Sequence, residues 1–290
     1  MSNQAAQTAY GPMSIIATEQ YYPEKQRLIQ DELAYQFLPL GLKSIAKLTQ
    51  WTPARDLMIS ASEERAPGIW GGVLCRKRYI DDKVQEALKT GINAVVILGA
   101  GLDTRAYRLT ALATVPVYEV DLPENIEYKR AKLQHLFGKV PAHVTLVGLD
   151  FNVQDLDTTL ASHGYQNKQK NCFVWEAVTQ YLTSEGVRNT FRFLTKAESG
   201  SQLVFTYVRQ DFIDGKTLYG LNALYQTFRI KDQVWQFGMV PEQVDTFLQE
   251  FGWKEREQMG SHEFVEKYMR PNGRLLPVTE VERVVLAEKG

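Results

Sequence analysis

Cysteine is nearly absent from this chain of 290 residues, which contains only Cys75 and Cys172. The two lie far apart in the sequence and are not accompanied by a spaced set of metal ligands. This usage argues against a disulfide framework and gives no sign of a metal site. It fits a protein of a reducing compartment.

Charge of one sign and long apolar runs are also lacking. The formal net charge is −1 at pH 7, which gives no support for nucleic acid or an anionic membrane as the main partner. No apolar run approaches the length that spans a bilayer, and residues 1–20 lack a basic segment followed by an apolar one. We therefore expect a soluble, cytoplasmic protein. Its 44% of hydrophobic residues suffices for a full core.

The stretch 94–109, with the sequence AVVILGAGLDTRAYRL, carries the clearest local signal. A short apolar, β-branched run ends in Gly99 and Gly101, and a helical pattern follows. Such a run is typical of a buried parallel strand whose carboxyl end meets a ligand. A side chain at either glycine would block a bulky ligand or forbid the backbone angles of the turn. We therefore predict a nucleoside cofactor at the end of the first strand of an open α/β sheet.

A third glycine is missing at the place where the dinucleotide fingerprint Gly-x-Gly-x-x-Gly requires it. That position is Thr104, and Asp103 precedes it. A carboxylate in the turn would repel a pyrophosphate, whereas it suits S-adenosylmethionine, which has a sulfonium, an ammonium and no phosphate. The alternative is an ordinary strand-to-helix turn in which Asp103 caps the following helix.

The second predicted strand, 115–120, leads into Asp121, about 20 residues beyond the glycines. An acidic side chain at this point is placed to accept hydrogen bonds from ribose hydroxyls. Dinucleotide enzymes and S-adenosylmethionine enzymes both use this arrangement. Asp121 therefore supports a bound nucleoside without deciding which one.

Two further strand ends carry acidic residues that are candidates for cofactor binding. Asp150 follows the third strand, where it would receive the exocyclic amine of an adenine with Phe151 against the ring; a helix cap before Val153 is the alternative. Glu176 ends the compact apolar fourth strand. A carboxylate at the mouth of a central strand is costly unless it has a partner, so a functional role is favoured there.

Arg76 lies in a basic cluster ahead of the first strand, together with Arg65, Lys77 and Arg78. Such a cluster is usually a solvated face of a helix. Because this one directly precedes the first core strand, at least one of its arginines is able to reach a cofactor carboxylate as a bidentate partner.

Predicted strands alternate with predicted helices, which indicates a mostly parallel sheet with helices on both faces. A strand pair after the fifth strand suggests an antiparallel edge. The helices before the sheet form either a packing layer or a lid, and the aromatic-rich stretch 210–235 is interpreted as a cap over an acceptor pocket, with simple core as the alternative. We assign one domain with four parts: a helical lid (1–55), a cofactor-binding core (56–209), a cap insertion (210–240) and C-terminal strands that complete the sheet (241–290).

Several motifs occur in order along the chain. They are RKRYIDD at 76–82, GAGLDTRAYR at 99–108, YEVDLP at 118–123, WEAVTQYL at 175–182 and ERVVLA at 282–287. Together they resemble the leucine carboxyl methyltransferase family, which includes a bacterial branch of polyketide-type O-methyltransferases. The resemblance covers residues 55–290, and residues 1–50 do not match firmly. It implies a Rossmann-like, class I methyltransferase fold, with seven strands and the last one inserted antiparallel.

The resemblance also implies S-adenosylmethionine as methyl donor and S-adenosylhomocysteine as product. Arg76 would hold the methionine carboxylate, Asp121 the ribose, and Glu176 the region of the amino group. Tyr181 is the candidate on the acceptor side. The whole cofactor-binding set that the resemblance implies is Arg76, Gly99, Ala100, Gly101, Asp103, Asp121, Leu122, Asp150, Phe151 and Glu176.

The expected reaction is an in-line displacement in which an acceptor oxygen attacks the methyl carbon of the sulfonium. A carboxylate acceptor is ionised at neutral pH and needs no general base, whereas a phenol or alcohol is helped by one. Of the four histidines only His262 lies in a turn that could reach the pocket, and a solvated surface position is its alternative.

The leading hypothesis is methylation of a carboxylate or hydroxyl of a small molecule, such as a polyketide-like secondary metabolite. Methylation of the carboxyl terminus of a partner protein is the second hypothesis. A nicotinamide-dependent oxidoreductase is disfavoured by Thr104. A non-catalytic binding module on the same fold is disfavoured because the cofactor-binding set is intact.

Overall fold

One sheet forms the centre of the protein; the computed structural model describes residues 9–151 and 153–290. Strands β1 to β5 are parallel, and β7 runs antiparallel between β5 and β6. The order across the sheet is β3-β2-β1-β4-β5-β7-β6, so the predicted topology is confirmed. The strands are β1 (Ala94–Leu98), β2 (Val117–Asp121), β3 (Val144–Gly148), β4 (Asn171–Trp175), β5 (Gln202–Val208), β6 (Trp253–Met259) and β7 (Glu282–Lys289).

Five α-helices precede the sheet in the described part of the chain: α1 (Tyr10–Glu19), α2 (Leu33–Phe37), α3 (Leu40–Leu48), α4 (Thr52–Arg65) and α5 (Ile69–Leu88). A 3-10 helix, Glu24–Gln26, lies between α1 and α2. The first eight residues of the predicted lid lie outside the described residues, as does Asn152. Helix α4 runs through position 55, where the lid was predicted to end. Nowhere in 9–151 or 153–290 is a helix long and apolar enough to cross a membrane.

The remaining helices lie between and after the strands. A Pro at the start and a left-handed Gly138 at the end delimit the longest of them, α7, as helix-capping preferences dictate. In sequence order these helices are α6 (Arg105–Arg108), α7 (Pro123–Phe137), α8 (Leu156–Ser162), α9 (Ser184–Leu194), α10 (Gln210–Ile213), α11 (Asn222–Leu224), α12 (Val244–Gln249) and α13 (Ser261–Phe264).

The hydrophobic core is divided by the sheet into two layers, because successive strand residues point to opposite faces. On β1, Val95 and Ile97 join the layer that contains α5, whereas Val96 and Leu98 join the layer that contains α9. The N-terminal helices share the first layer. The five residues of β1 are buried, as a strand covered on both faces requires.

The segment between β5 and β6 has a small core of its own. Phe212 and Trp235 are buried in it together with Leu221. A π-helix, Tyr225–Lys231, follows α11, and the chain then runs back to an isolated bridge between Arg209 and Met239. The aromatic residues of the predicted cap therefore pack mainly on one another, which was the alternative to a pocket lining.

Candidate functional site

The carboxyl ends of β1 and β2 meet at the glycine turn. The amides of Gly99 and Ala100 donate to the Val120 carbonyl at 2.8 and 3.0 Å, so the turn is tied to the neighbouring strand. The Gly101 amide donates to Asp121 Oδ2 at 2.6 Å. The structure thus brings together the turn and the carboxylate that the sequence analysis had paired across 20 positions.

The two glycines of the turn are required for different reasons. Both have left-handed backbone angles, with φ of 70° at Gly99 and 38° at Gly101. A Cβ at Gly99 would lie 2.3 Å from Cγ2 of Val178, in the loop after β4. A Cβ at Gly101 would meet nothing closer than 3.9 Å. Close packing against Val178 therefore leaves no room for a side chain at Gly99. At Gly101, in contrast, the space next to the backbone is open.

Asp121 is held by three donors. Besides the Gly101 amide, its carboxylate accepts the Leu122 amide and the Asn125 side-chain amide, both at 2.7 Å. The side chain is fixed at the carboxyl end of β2 and is buried. This places Leu122 in contact with Asp121 through its backbone, and Ala100 is buried in the turn itself. The contacts to ribose and methionine remain predictions.

Glu176, which follows β4, is the centre of a buried cluster of cations. Its carboxylate accepts from Arg76 Nε at 2.8 Å, Lys77 Nζ at 3.0 Å and Arg105 Nη2 at 2.9 Å. Its side chain is only 6% exposed. Burial by itself would raise the pKa of Glu176, but the three cations outweigh burial and hold the pKa well below its usual range. Glu176 is therefore ionised at neutral pH.

Arg76 lies beside Glu176 as the sequence predicts, yet it is shared between two carboxylates. Its Nη1 pairs with Glu282, in addition to the Nε bond to Glu176. The second oxygen of Glu282, Oε1, is buried and has no hydrogen-bond partner within the described part of the chain. A cavity of about 10 Å³, also lined by Phe264 and Thr279, adjoins this pair.

Asp103 lies one residue before Thr104, the N-cap residue of α6, so it is not itself the predicted helix cap. Its Oδ1 accepts the Arg105 amide at 2.8 Å, and its Oδ2 lies 2.9 Å from Arg105 Nη1. Lys77 Nζ is 4.0 Å away. Asp103 thus orders the start of α6 and faces the same cations as Glu176. A direct role toward a cofactor remains a prediction.

Asp150 and Phe151 follow β3 at the edge of the sheet. The Asp150 carbonyl accepts the amides of Val153 and Gln154, which closes a turn rather than a helix. The next helix, α8, starts at Leu156 and is capped by Asp155. The helix-cap alternative for Asp150 is therefore wrong, and its proposed contact with adenine remains a prediction. Phe151 packs on the core layer that contains Trp175.

Tyr181 lies where the loop after β4 meets the cap. The Gln236 amide donates to the Gln180 carbonyl at 2.7 Å, and the Tyr181 ring stands edge-on to Trp235 with 6.3 Å between centroids. Through Val178 the same loop touches the glycine turn. The stretch 178–181 therefore connects the cofactor side to the cap. His262, in contrast, is exposed on α13.

Arg105 and Asp81 are the site residues that the sequence analysis missed. Arg105 is fully buried, and its contacts run to Asp81, Asp103 and Glu176. Lys77 and Glu282 were seen only as members of a basic cluster and a strand motif. One available signal was the alternation of charges in Asp103-Thr-Arg105, since two opposite charges at a strand-to-helix turn are able to pair.

The residues present fit a zwitterionic nucleoside. Arg76 and Lys77 are cations able to meet a carboxylate, and Glu176 is an ionised acceptor for an ammonium group. Glu282 Oε1 is a further acceptor that lacks a partner in the described part of the chain. Asp121 and the open side of Gly101 complete the set. The described residues include no group of three or more His, Cys, Asp or Glu side chains that could hold a metal ion.

A model of one protein family matches the chain: the leucine carboxyl methyltransferase family, over residues 9–195. The match begins within the N-terminal helices, so the expectation that residues 1–50 do not match firmly is wrong from residue 9 onward. It ends before the motif at 282–287.

Individual proteins agree with that match. A Mycolicibacterium paratuberculosis protein, provisionally named an S-adenosyl-L-methionine-dependent methyltransferase, is 38% identical over 204 residues, which are 68% of this chain and 62% of that protein. A Mycobacterium bovis BCG protein with the same provisional name is 36% identical over 184 residues, 62% of this chain and 60% of its own length. The chain thus spans about three fifths of the length of these relatives.

A solved structure from Thermobifida fusca, described as a provisional methyltransferase, superimposes with a TM-score of 0.58. The superposition covers 83% of this chain and 90% of that one at 17% sequence identity. At this identity the likeness concerns the fold, which is the class I methyltransferase fold that the sequence analysis expected.

Proposed function

Because this chain belongs to the leucine carboxyl methyltransferase family, a family of S-adenosylmethionine-dependent methyltransferases, we propose that it methylates a carboxylate or hydroxyl oxygen of a small molecule. The observation that carries the proposal is the bond from the Gly101 amide to Asp121. It joins the ends of β1 and β2 into one ledge, beside the ionised Glu176. The ledge has the carboxylates that a ribose and an ammonium group need.

In this proposal each residue has a separate task. Asp121 accepts the ribose hydroxyls, Arg76 and Lys77 meet the methionine carboxylate, and Glu176 faces the ammonium group. S-adenosylmethionine supplies an electrophilic methyl group on a sulfonium. The chain contributes alignment and exclusion of water, which are sufficient for an acceptor that is already ionised. The exposed His262 is not needed for a carboxylate acceptor.

The acceptor side is assigned to the stretch 178–181 and the cap above it. Trp235 is 7% exposed, and the backbone of Gln180 is bonded to the cap at Gln236. An acceptor between Tyr181 and the cofactor would lie beside the aromatic contact of Tyr181 with Trp235, which favours a small apolar molecule over an exposed protein terminus. This supports the small-molecule hypothesis over the protein-directed one.

The first test is calorimetry with S-adenosylhomocysteine and, separately, NAD. We expect micromolar affinity for the first and none for the second. Asp121→Asn should weaken S-adenosylhomocysteine binding by about 1–3 kcal/mol, because its amide would face the donors Gly101 N, Leu122 N and Asn125 Nδ2 with a donor of its own. Glu124→Gln, an exposed acid of the adjoining helix, is the matched control. Equal affinity of both variants would contradict the ledge assignment.

The acceptor class is tested with a radiolabelled methyl donor. Panels of small carboxylic acids, phenols and a peptide with a free carboxyl terminus are incubated with the enzyme, and the products are treated with alkali. A methyl ester releases methanol, whereas an ether does not. We expect label in a small-molecule product; label in the peptide alone would favour the protein-directed alternative. Cofactor binding with no methyl transfer to any acceptor would favour the non-catalytic module.

A further inference from the structure

Asp31, in the loop before α2, is buried against the glycine-rich motif. The Thr104 hydroxyl donates to Asp31 Oδ2 at 2.5 Å, and Arg108 Nε lies 3.4 Å from the same oxygen. Asp31 Oδ1 accepts the Ala34 amide at 3.0 Å, which fixes the start of α2. With 2% exposure, this carboxylate joins the N-terminal helices to α6, more than seventy residues away.

From Arg108 the contacts continue inward. Its guanidinium holds Asp81 with two bonds, Nη1 to Oδ2 at 2.6 Å and Nη2 to Oδ1 at 2.9 Å. Asp81 Oδ1 lies 3.4 Å from Arg105 Nε, and Arg105 Nη2 contacts Glu176 at 2.9 Å. A continuous series of charged groups therefore runs from Asp31 to Glu176, and every side chain in it is at most 9% exposed.

We infer that Asp31 and Arg108 are positioning residues that couple the N-terminal helices to the cofactor site. This inference rests on the proposed function, because its endpoint is the carboxylate assigned to the cofactor ammonium group. Neither residue contacts that endpoint directly; both act through Asp81 and Arg105.

A purely structural role explains this arrangement poorly. The N-terminal helices already bury Met13, Ile16 and Leu28 in the core layer of α5. Buried ion pairs often add little stability beyond apolar packing, since desolvation offsets their attraction, so we assign this series to fixing geometry. A ligand charge beside Glu176 changes the field on Arg105, and the series transmits the change to Asp31.

Reciprocity supplies the test. If the N-terminal helices improve cofactor affinity, the cofactor must stabilise those helices by the same factor. Calorimetry measures affinity for S-adenosylhomocysteine, and amide hydrogen exchange measures protection of residues 28–37 with and without it. In the unaltered protein we expect the ligand to slow exchange there. In Asp31→Asn we expect affinity to fall about tenfold and the ligand-dependent slowing to shrink equally.

Three further variants make the result decisive. Thr104→Val removes one hydroxyl and no charge, so it serves if Asp31→Asn fails to fold. The pair Asp31→Asn and Arg108→Gln should be non-additive, because both break one series. Asp56→Asn, an exposed change of the same charge on α4, should leave affinity and exchange unchanged.

The inference is overturned if Asp31→Asn lowers thermal stability while affinity and ligand-dependent protection stay as in the unaltered protein. Additive effects of Asp31→Asn and Arg108→Gln would overturn it as well. Absence of S-adenosylhomocysteine binding by the unaltered protein would instead refute the proposed function. The two failures are therefore distinguishable in one set of titrations.

Discussion

At the scale of single residues, Gly99 is constrained by a neighbouring side chain, Val178. The sequence pattern predicts glycine there for close ligand approach or for the backbone angle. The angle is confirmed, with φ of 70°, and the nearest obstacle is Val178. Only the Gly101 side of the turn is open.

Gly99→Ala should therefore cost more than a left-handed alanine alone. Gly91, with φ of 85° and nothing within 4 Å of its added Cβ, gives the reference. We expect Gly91→Ala to lower the free energy of unfolding by about 1–2 kcal/mol, and Gly99→Ala by about 1–3 kcal/mol more because of the clash with Val178. Urea denaturation of both variants measures the difference.

Val178→Ala provides the control for this clash. It removes both Cγ atoms that crowd the position, so the double variant Gly99→Ala/Val178→Ala should recover part of the excess loss. Equal destabilisation by Gly91→Ala and Gly99→Ala would contradict the packing explanation.

The sequence predicts which acidic residues lie at the strand ends, but it does not predict the basic residues that pair with them. Asp121 and Glu176 follow apolar strands, and parallel strands bring their carboxyl ends to one edge, so their proximity follows from the pattern. For Arg105 the only signal in the sequence is the nearby opposite charge of Asp103. A fully buried arginine and a solvated one look alike in sequence, and the partners Asp81 and Glu176 lie 24 and 71 positions away.

At the scale of elements, the end of β4 depends on the helix before the sheet. Helix α5 supplies the buried Arg76 and Asp81 and the partly buried Lys77. The strand supplies Glu176. Neither the helix nor the strand could bury its charges alone, because the desolvation of an unpaired buried ion costs several kcal/mol. The helix and the strand therefore fix each other's charged ends.

Glu176→Gln should weaken this junction in a pH-dependent way. At pH 7 we expect the free energy of unfolding to fall by about 1–3 kcal/mol, since three buried donors lose a charged acceptor. The pKa of Glu176 is lowered in the folded protein, so its contribution is present above the unfolded pKa of about 4.3 and is lost as the pH falls below it.

Urea titrations from pH 7 down to about pH 3 measure that contribution. The difference between the unaltered protein and Glu176→Gln should shrink toward the acid end. Glu198→Gln, an exposed change of the same kind, should stay within about 0.5 kcal/mol at every pH. A difference that is constant with pH would show that the carboxylate charge is not the stabilising feature.

Strands were easier to predict than the short helices and the cap. Strand β4 ends directly before Glu176, as predicted, because a compact apolar run between polar residues indicates a buried strand in an α/β chain. The helical pattern predicted after the glycine turn yields only the short helix α6, which ends at Arg108, where Leu109 becomes extended. Its arginines, Arg105 and Arg108, form ion pairs in the charged cluster. The spacing of apolar residues, from which helices are predicted, contains no information about such ion pairs.

At the scale of the whole molecule, the two ends of the chain are tied together. Arg274 Nη1 donates to Glu19 Oε1 at 2.8 Å across 255 positions, and both side chains are buried. The ring of Tyr22 lies between two guanidinium groups, with Arg274 Cζ at 3.9 Å and Arg55 Cζ at 4.1 Å from its centroid. The N-terminal helices are thus held by the segment that leads into β7.

The mostly parallel sheet with its inserted antiparallel strand was predictable at this scale, and the tie between the ends was not. This architecture is implied by the resemblance to the family, which rests on five motifs that occur in order along the chain. Glu19 and Arg274 belong to no motif. They lie in segments whose apolar spacing is weak, so only the folded chain reveals that they meet.

Arg274→Met should strongly destabilise the fold, although the residue lies far from the cofactor ledge in the chain. Glu19 would remain fully buried without its cation, and breaking a buried pair in this way costs about 3–5 kcal/mol. Burial raises the pKa of Glu19 even with Arg274 beside it. Without Arg274, the pKa of this carboxyl group would rise further and its ionised form would be still less favourable. Thermal unfolding measures the loss.

Two companion variants separate the buried charge from the mere loss of an arginine. Arg270→Met, at an exposed ion pair four residues earlier, should cost less than about 1 kcal/mol. Adding Glu19→Gln to Arg274→Met should recover part of the loss, because no buried charge is then left over. If Arg274→Met and Arg270→Met melt at the same temperature, the tie between the ends contributes nothing to the stability of the fold.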